Sequence, residues 1–275
     1  MNRLPTLENL EVELLLEAVY QRFGYDFRMH RRDILCEKLQ ALLRKEGLLS
    51  LSTLQHRVLH DPDGIGLFLK SVAARSSGLF GDGARMAALR HTLSPWLRSR
   101  PSPRIWIADC ACAEEVYPIV ILLDEADILD KTTVFATATH ELMLEDAREA
   151  EISVERLPEY EENYRRSGGM RSLSYYCSNE ADRYVFSRTL RERVTFAEYS
   201  LATDTSFNEF EFISCPSVLN ELARVPKQRA MQLFHDSLPV FGVLDAPDSE
   251  NADLAGFGAQ YHPLEGQSGL YRRVA

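Results

Sequence analysis

The chain has 275 residues, 45% hydrophobic and 26% charged, with 14 Gly and 12 Pro. It is long enough for a real core, and this composition excludes collagen-like, low-complexity and wholly disordered classes. With 31 Lys and Arg against 41 Asp and Glu, the net charge of −10 excludes general nucleic-acid binding, which needs a basic surface.

In chain order, helical spacing comes first. Leu10, Leu14, Leu15, Val19 and Phe23 recur as on a helix, and Gly24 stops it. A second helical stretch is expected from near Phe27 through Ile34, Leu35, Leu39 and Leu42 to Gly47. A third starts after Ser50 or Ser52, either of which can cap it. Residues 64–98 read as short helices broken around Ser76 to Gly83. Pro101 and Pro103 disfavour helix at themselves and at the preceding residues, so a domain boundary is expected there, dividing 1–100 from 101–275.

Beyond it the pattern alternates. Arg104–Ala108 reads as a strand, Glu114–Asp130 as a helix apolar on one face, Thr133–Ala136 as a strand and Glu141–Ala150 as a helix. Strands follow at Val194–Phe196 and Phe210–Ser214, a helix at Lys227–Ser237 and a strand near Phe241–Leu244. Such alternation predicts βαβ units, a parallel sheet, and a ligand site just after the strands.

Charge divides along the same line. Residues 1–100 hold 15 Lys and Arg against 11 Asp and Glu, and residues 101–275 hold 16 against 30. This suggests two domains with different partners; ordinary solvated helix faces are the plain alternative. Five cysteines, an odd number, show no paired C-x-x-C units, and the C-x-C of Cys110 and Cys112 is too little for a metal site. Free thiols and a reducing, cytoplasmic compartment are expected. No apolar run approaches a membrane span, and no signal peptide, G-x-S-x-G elbow or phosphate loop is legible.

The strand ends carry a family resemblance. Ala108-Asp109-Cys110-Ala111-Cys112-Ala113-Glu114-Glu115-Val116-Tyr117 resembles A-x-C-S-T-G-E-E-P-Y of the CheR-type chemotaxis receptor methyltransferases. Ala136-Thr137-Ala138-Thr139 stands where that family has A-T-D-I, and Phe210 to Leu219, through Cys215-Pro216-Ser217, where it has F-D-L-I-F-C-R-N-V-L. His235-Asp236-Ser237-Leu238 and Ser249-Glu250 add to the match, and Tyr261–Leu264 with Leu270–Arg273 resembles the family's closing hairpin. The resemblance implies an α/β fold: a Rossmann-like S-adenosylmethionine methyltransferase domain preceded by a small all-α domain. The activity implied is methyl transfer to receptor glutamates.

The departures fall on the implied cofactor contacts. Ala113 replaces a Gly whose lack of a Cβ lets the cofactor approach, and Ala138 replaces an Asp that would accept from ribose hydroxyls. Ser200 replaces an Asn, and Pro216 and Ser217 an Arg-Asn pair; Phe241-Gly242 stands for a Gly-Gly turn. The T-x-F-F-R-D segment falls on Ser77-Gly78-Leu79-Phe80-Gly81-Asp82, without the guanidinium. The pocket of Cys110, Ala113, Glu114, Glu115, Ala138, Thr139, Ser200, Cys215 and Ser217 then reads as vestigial, with no catalytic residue and no metal. The expected protein is a non-catalytic pseudoenzyme that binds a signalling protein, such as a chemoreceptor or its regulator, or a non-standard small ligand. The alternative is an active S-adenosylmethionine-dependent glutamate O-methyltransferase, in which Glu114 and Glu115 still meet the cofactor. Without a ligand, those two residues suit the first turn of a helix.

In the family the helical domain is basic and meets acidic receptors. Arg28, Arg31 and Arg32, with Lys38 beyond, would share one helical face and fit an acidic partner, although Cys36-Glu37 replaces the family's next arginines. A solvated helix surface is the plain alternative. Gly168-Gly169 reads as a turn between short strands, within a small β-subdomain around 157–193. Some family members use this region to capture a receptor tail by strand addition. Arg165 and Arg166, with the nearby tyrosines, would then meet a peptide; a structural flap is the alternative.

Overall fold

The computed structural model describes residues 6–74, 78–180, 183–206, 208–247, 254–264 and 269–275. Ser76, Ser77, Ser249 and Glu250, singled out above, lie outside these. The chain divides into two compact units: one comprises residues up to Ala74 with Glu221–Ala223, the other Arg75–Asn220 with Arg224–Ala275.

Among its described residues the first unit holds four helices: α1 (Leu7–Phe23), α2 (Arg32–Glu46), α3 (Leu51–His60) and α4 (Gly64–Ala73). The Thr6 hydroxyl caps α1 by accepting from the Asn9 N–H at 3.3 Å, and Ser50 caps α3 by accepting from the Thr53 N–H at 3.2 Å. Gly24 (φ 82°) and Gly47 (φ 65°) end α1 and α2 in the left-handed region, as the sequence predicts. The buried stripe of α1 is Val12, Leu15, Leu16 and Val19; Leu10 and Leu14 face outward, so the expected face is rotated. At Gly64 a Cβ would lie 2.2 Å from the Arg57 carbonyl oxygen, so only glycine lets α4 start so close to α3. Phe27, in the loop before α2, packs edge-on to Phe68 at 5.6 Å.

The distant segment Glu221–Ala223 completes this unit. The Arg31 N–H donates to the Glu221 carbonyl at 2.6 Å, and the Ala223 N–H to the Met29 carbonyl at 2.9 Å. Lys38 Nζ donates to both Glu221 carboxylate oxygens, at 2.8 and 2.9 Å, and to the Val72 carbonyl at 2.7 Å.

The second unit opens with α5 (Gly83–Arg98), capped by Asp82, whose carboxylate accepts from the Arg85 N–H at 2.9 Å. Then come β1 (Arg104–Ile107), α6 (Ala113–Glu125), β2 (Thr133–Ala138), α7 (Glu141–Glu149), β3 (Glu151–Ser153), α8 (Leu157–Arg166), β4 (Cys177–Glu180), β5 (Arg183–Phe186), α9 (Arg188–Arg191) and β6 (Val194–Glu198). The unit closes with β7 (Phe212–Ser214), α10 (Val218–Glu221, its last residue counted with the first unit), α11 (Arg224–Ser237), β8 (Val243–Asp245), β9 (Tyr261–Pro263) and β10 (Leu270–Arg273). Seven strands form one sheet in the order β6-β2-β1-β7-β8-β10-β9, parallel except for β10, which runs antiparallel to β8 and β9. This is a doubly wound, Rossmann-like α/β sheet with a closing hairpin.

Its centre is aromatic. Trp106 is fully buried, with the rings of Tyr199, Phe210 and Phe234 at 5.2–5.4 Å, and its Nε1–H donates to the Thr137 hydroxyl at 2.8 Å. Helix α6 is buried from Glu115 through Leu123, not on one face, because it is covered all round, and it ends at Glu125 rather than Asp130.

The domain boundary falls between Ala74 and Arg75, not at the prolines. The physical reason is α5. Its buried Met86, Leu89, Leu93 and Leu97 pack in the second unit, and Arg98 donates to the Ala126 carbonyl at 3.0 Å. The predicted β-subdomain is a three-stranded antiparallel sheet, β3-β5-β4. It begins at Glu151, ahead of the expected start, and α8 occupies residues 157–166. Gly168 (φ 83°) is not a turn between strands; its N–H donates to the Arg165 carbonyl at 3.1 Å just past the end of α8.

Candidate functional site

In an open α/β sheet, ligands bind outside the carboxyl ends of the strands where the chain changes direction. Here that point lies between β1 and β7. From β1 the chain proceeds outward to β2 and β6, and it returns at β7 on the other side. The crevice is therefore walled by the turns Ala108–Cys112 and Cys215–Ser217, with the end of β2 alongside.

The backbone draws these turns together. The Ala108 N–H donates to the Ser214 carbonyl, Cys110 to Thr137 and Cys215 to Asp245, each at 2.8 Å. Asp109 takes a left-handed conformation (φ 52°), one that Asp tolerates better than most residues. The Thr139 hydroxyl donates to Asp109 Oδ1 at 3.2 Å.

Both glutamates of the first turn are engaged within the protein. Glu115, 6% exposed, accepts the Ala111 N–H at 2.8 Å and the Ser217 hydroxyl at 2.7 Å, one on each carboxylate oxygen. It thus ties the first turn to the fourth across the switch point. Glu114 accepts the Tyr160 hydroxyl at 2.7 Å from α8, and Arg156 lies 3.7 Å away, its guanidinium 4.5 Å above the Tyr160 ring. Burial first, and then the Glu114 carboxylate, push the Tyr160 hydroxyl far above its ordinary pKa.

Sequence reasoning missed the strongest charge pair of the crevice. Asp245, at the end of β8, is fully buried, and Arg85 Nη1 lies 2.8 and 2.6 Å from its two oxygens. The Ser214 hydroxyl donates to Asp245 Oδ2 at 2.8 Å. The guanidinium absent at Gly81 thus appears one helical turn later; the signal available was Arg85 on the first turn of a helix capped by Asp82. A cavity of about 30 Å³ remains among Phe80, Gly81, Arg85, Glu114, Glu115, Pro118, Ser214, Pro216 and Asp245.

The structure brings Cys110, Ala113, Glu114, Glu115, Cys215 and Ser217 together at this crevice, with Ala138 and Thr139 at the end of β2. Ala113 is 2% exposed and Ala138 fully buried. Ser200, past β6, serves its own loop: its hydroxyl accepts the Ala202 N–H at 3.3 Å, and its N–H donates to Asp204 at 2.9 Å. Burial pushes the Cys110 and Cys112 thiols well above the ordinary range, and the Glu115 carboxylate adds to both shifts. None of the five cysteines forms a disulfide, and no metal-holding cluster exists among the described residues.

The expected basic helical face does not form. Arg28 and Arg31 precede α2, which starts at Arg32, so the three arginines follow no helical spacing. Arg28 bridges Glu17 and Asp26, each at 2.9 Å, with its guanidinium 3.8 Å above the Tyr20 ring. Arg31 pairs with Asp33 at 2.7 Å, Arg32 lies 3.8 Å from Glu13, and Lys38 holds Glu221. On α8, Arg165 pairs with Glu162 at 2.8 Å, and Arg166 is exposed one residue on.

Comparison with known proteins agrees with this architecture. A family model described as the CheR methyltransferase all-alpha domain matches residues 10–73, and one described as the CheR methyltransferase SAM binding domain matches residues 75–257. A protein named methyltransferase Cher3, of Pseudomonas putida, is 36% identical over 265 residues, covering 96% of this chain and 97% of that one. A chemotaxis protein methyltransferase of Listeria innocua is 24% identical over 249 residues, covering 90% and 92%. Among solved structures, the N-methyltransferase NodS of Bradyrhizobium japonicum with S-adenosyl-l-homocysteine gives a TM-score of 0.39 at 10% identity, covering 81% and 95%. Among the described residues, no helix is long and apolar enough to cross a membrane. With two domain models meeting across most of its length and a relative matched nearly end to end, the chain belongs to the CheR methyltransferase family.

Proposed function

We propose that this CheR-family chain is a pseudo-methyltransferase, a cytoplasmic binding or regulatory protein of bacterial chemosensory or related signal transduction. Its partner would be a signalling protein such as a chemoreceptor or its regulator. The observation that carries this reading is the crevice. Among the described residues, the cavity beside Arg85, Glu114, Glu115 and Asp245 is about 30 Å³, room for about one water molecule, whereas small-molecule sites measure roughly 300–1,000 Å³. The polar groups around it are committed to one another: Arg85 to Asp245, Glu115 to Ala111 and Ser217, Glu114 to Tyr160.

On this reading the residues present do not fit S-adenosylmethionine. Ala138 offers no acceptor to a ribose, and such a carboxylate supplies charge-assisted hydrogen bonds of about 1.5–3 kcal/mol. Methyl transfer depends on holding donor and acceptor in line, so a chain that does not hold the donor does not transfer.

Calorimetric titration of the full chain with S-adenosylmethionine and S-adenosylhomocysteine tests this. No saturable binding below about 1 mM is expected, a standard free energy weaker than about −4 kcal/mol. Micromolar binding of either compound overturns the reading. It would favour an active glutamate O-methyltransferase, for which the names of the relatives and the retained Glu114-Glu115 pair speak.

A further inference from the structure

Within the second unit, α7, α9 and β6 line an open cleft of about 440 Å³. Its floor is Val194 and Phe196, two residues apart on β6 and so on one face of the sheet. Its walls are Arg148, Arg188, Arg191 and Glu192. Three guanidinium groups thus stand against two carboxylates, Glu192 in the wall and Glu141 paired with Arg148, in a chain whose net charge is −10.

These cations differ in what holds them. Arg148 pairs with Glu141, and its guanidinium lies 5.4 Å from the Phe196 ring centroid; Arg188 pairs with Glu192 at 2.6 Å. The side chains of both pairs are 44–82% exposed, and pairs so open to water are worth about 0–1 kcal/mol, so a better anion exchanges into them readily. Arg191 is half-buried, and its Nε is closed to solvent with no hydrogen-bond partner among the described residues.

We propose that this cleft binds a small phosphate ester. Arg148, Arg188 and Arg191 hold the phosphoryl group, and the organic part lies on Val194 and Phe196. Guanidinium forks match phosphate oxygens in pairs, and the volume lies within the range of small-ligand sites. The site is separate from the crevice at β1 and β7, and it stands whether or not that crevice takes S-adenosylmethionine.

The test is titration of the full chain with phenyl phosphate, with inorganic phosphate and with phenol. Phenyl phosphate is expected to saturate below about 1 mM, and Arg191→Ala or Arg188→Ala to weaken it at least ~10-fold. Inorganic phosphate binds more weakly for lack of the floor, and phenol does not bind. Arg188 is 82% exposed, so its substitution leaves the fold intact if Arg191→Ala does not. The proposal fails if phenyl phosphate does not saturate by about 10 mM, a limit near −3 kcal/mol. It fails equally if neither arginine variant changes the affinity, if inorganic phosphate or phenol binds as tightly, or if S-adenosylhomocysteine displaces phenyl phosphate.

Discussion

Arg85 Nη1 stands 2.8 and 2.6 Å from the two oxygens of Asp245, one residue on the first turn of α5 and the other at the end of β8, fully buried. The pair joins residues 160 apart in sequence and lies where the crevice would otherwise open. Removing one member of a buried pair leaves an uncompensated charge, which costs about 3–5 kcal/mol. Arg85→Ala is therefore expected to lower the unfolding free energy of the chain by about 3 kcal/mol in urea denaturation. A loss below about 1 kcal/mol would mean that the carboxylate is satisfied without the arginine and that α5 is held by its apolar face alone.

The thiols at the first turn are held in the unreactive, protonated form. Burial raises the Cys110 and Cys112 thiols well above the ordinary range, and it raises Cys177 to about 12. The thiolate is the reactive form, so these three cysteines are almost wholly protonated at neutral pH. In the native protein, iodoacetamide at pH 7.5 is expected to label none of them within minutes, while all react in denaturant; peptide mass spectrometry reads the difference. Fast native labelling of Cys112 would show that the turn opens to solvent.

How much of this was legible depends on the range of the interaction. Gly24, Gly47 and Ser50 act on their own helices, so the ends they set were readable. The βαβ alternation and the strand-end motifs likewise led to the sheet and to the crevice. Arg85 with Asp245 and Lys38 with Glu221 join residues 160 and 183 apart, and no local pattern announces them. The charge split also reads differently against the structure. Residues 1–74 hold ten basic and ten acidic side chains, and the excess of four positive charges lies wholly in 75–100. Within that stretch Arg85, Arg90 and Arg98 anchor α5 to its own unit through Asp245, Glu125 and the Ala126 carbonyl. The charge that suggested an acidic partner for the helical domain is largely spent inside the other one.

Two histidines set an acid limit on stability. Burial lowers the pKa of His140 below its ordinary value of 6.5, against the pull of Glu198 and Asp109. Burial and then Arg273 lower that of His235, against Asp236. Both favour the neutral ring in the folded state. Above pH 6.5 neither state holds the proton, and the folded state keeps its full stability. As pH falls below 6.5 the unfolded chain takes up protons first, so stability drops until the folded pKa values are passed. The slope is at most about 1.4 kcal/mol per pH unit for each histidine. The unfolding free energy is expected to fall from pH 7 to pH 5, and less steeply in the double variant His140→Gln, His235→Gln. An unchanged slope in that variant would assign the loss to carboxylates instead.

The place of α5 gives a prediction about where the chain can be cut. The prolines at 101 and 103 look like a linker, yet α5 lies before them and contributes Met86, Leu89, Leu93 and Leu97 to the core of the sheet unit. It also supplies Arg85 to Asp245, and Arg90 to Glu125 and to the Ser167 carbonyl at 2.9 Å. A fragment starting at residue 101 loses four buried apolar side chains, each worth about 1.5–3 kcal/mol, and leaves two carboxylates without their partners. Together these come to about 12–22 kcal/mol, as large as or larger than the roughly 5–15 kcal/mol by which a domain is ordinarily stable. A fragment of residues 75–275 keeps all of these contacts. It is expected to unfold cooperatively and to show native-like near-ultraviolet circular dichroism, while 101–275 aggregates or lacks that signal. A well-folded 101–275 fragment would place the boundary at the prolines and make α5 a part of the helical domain.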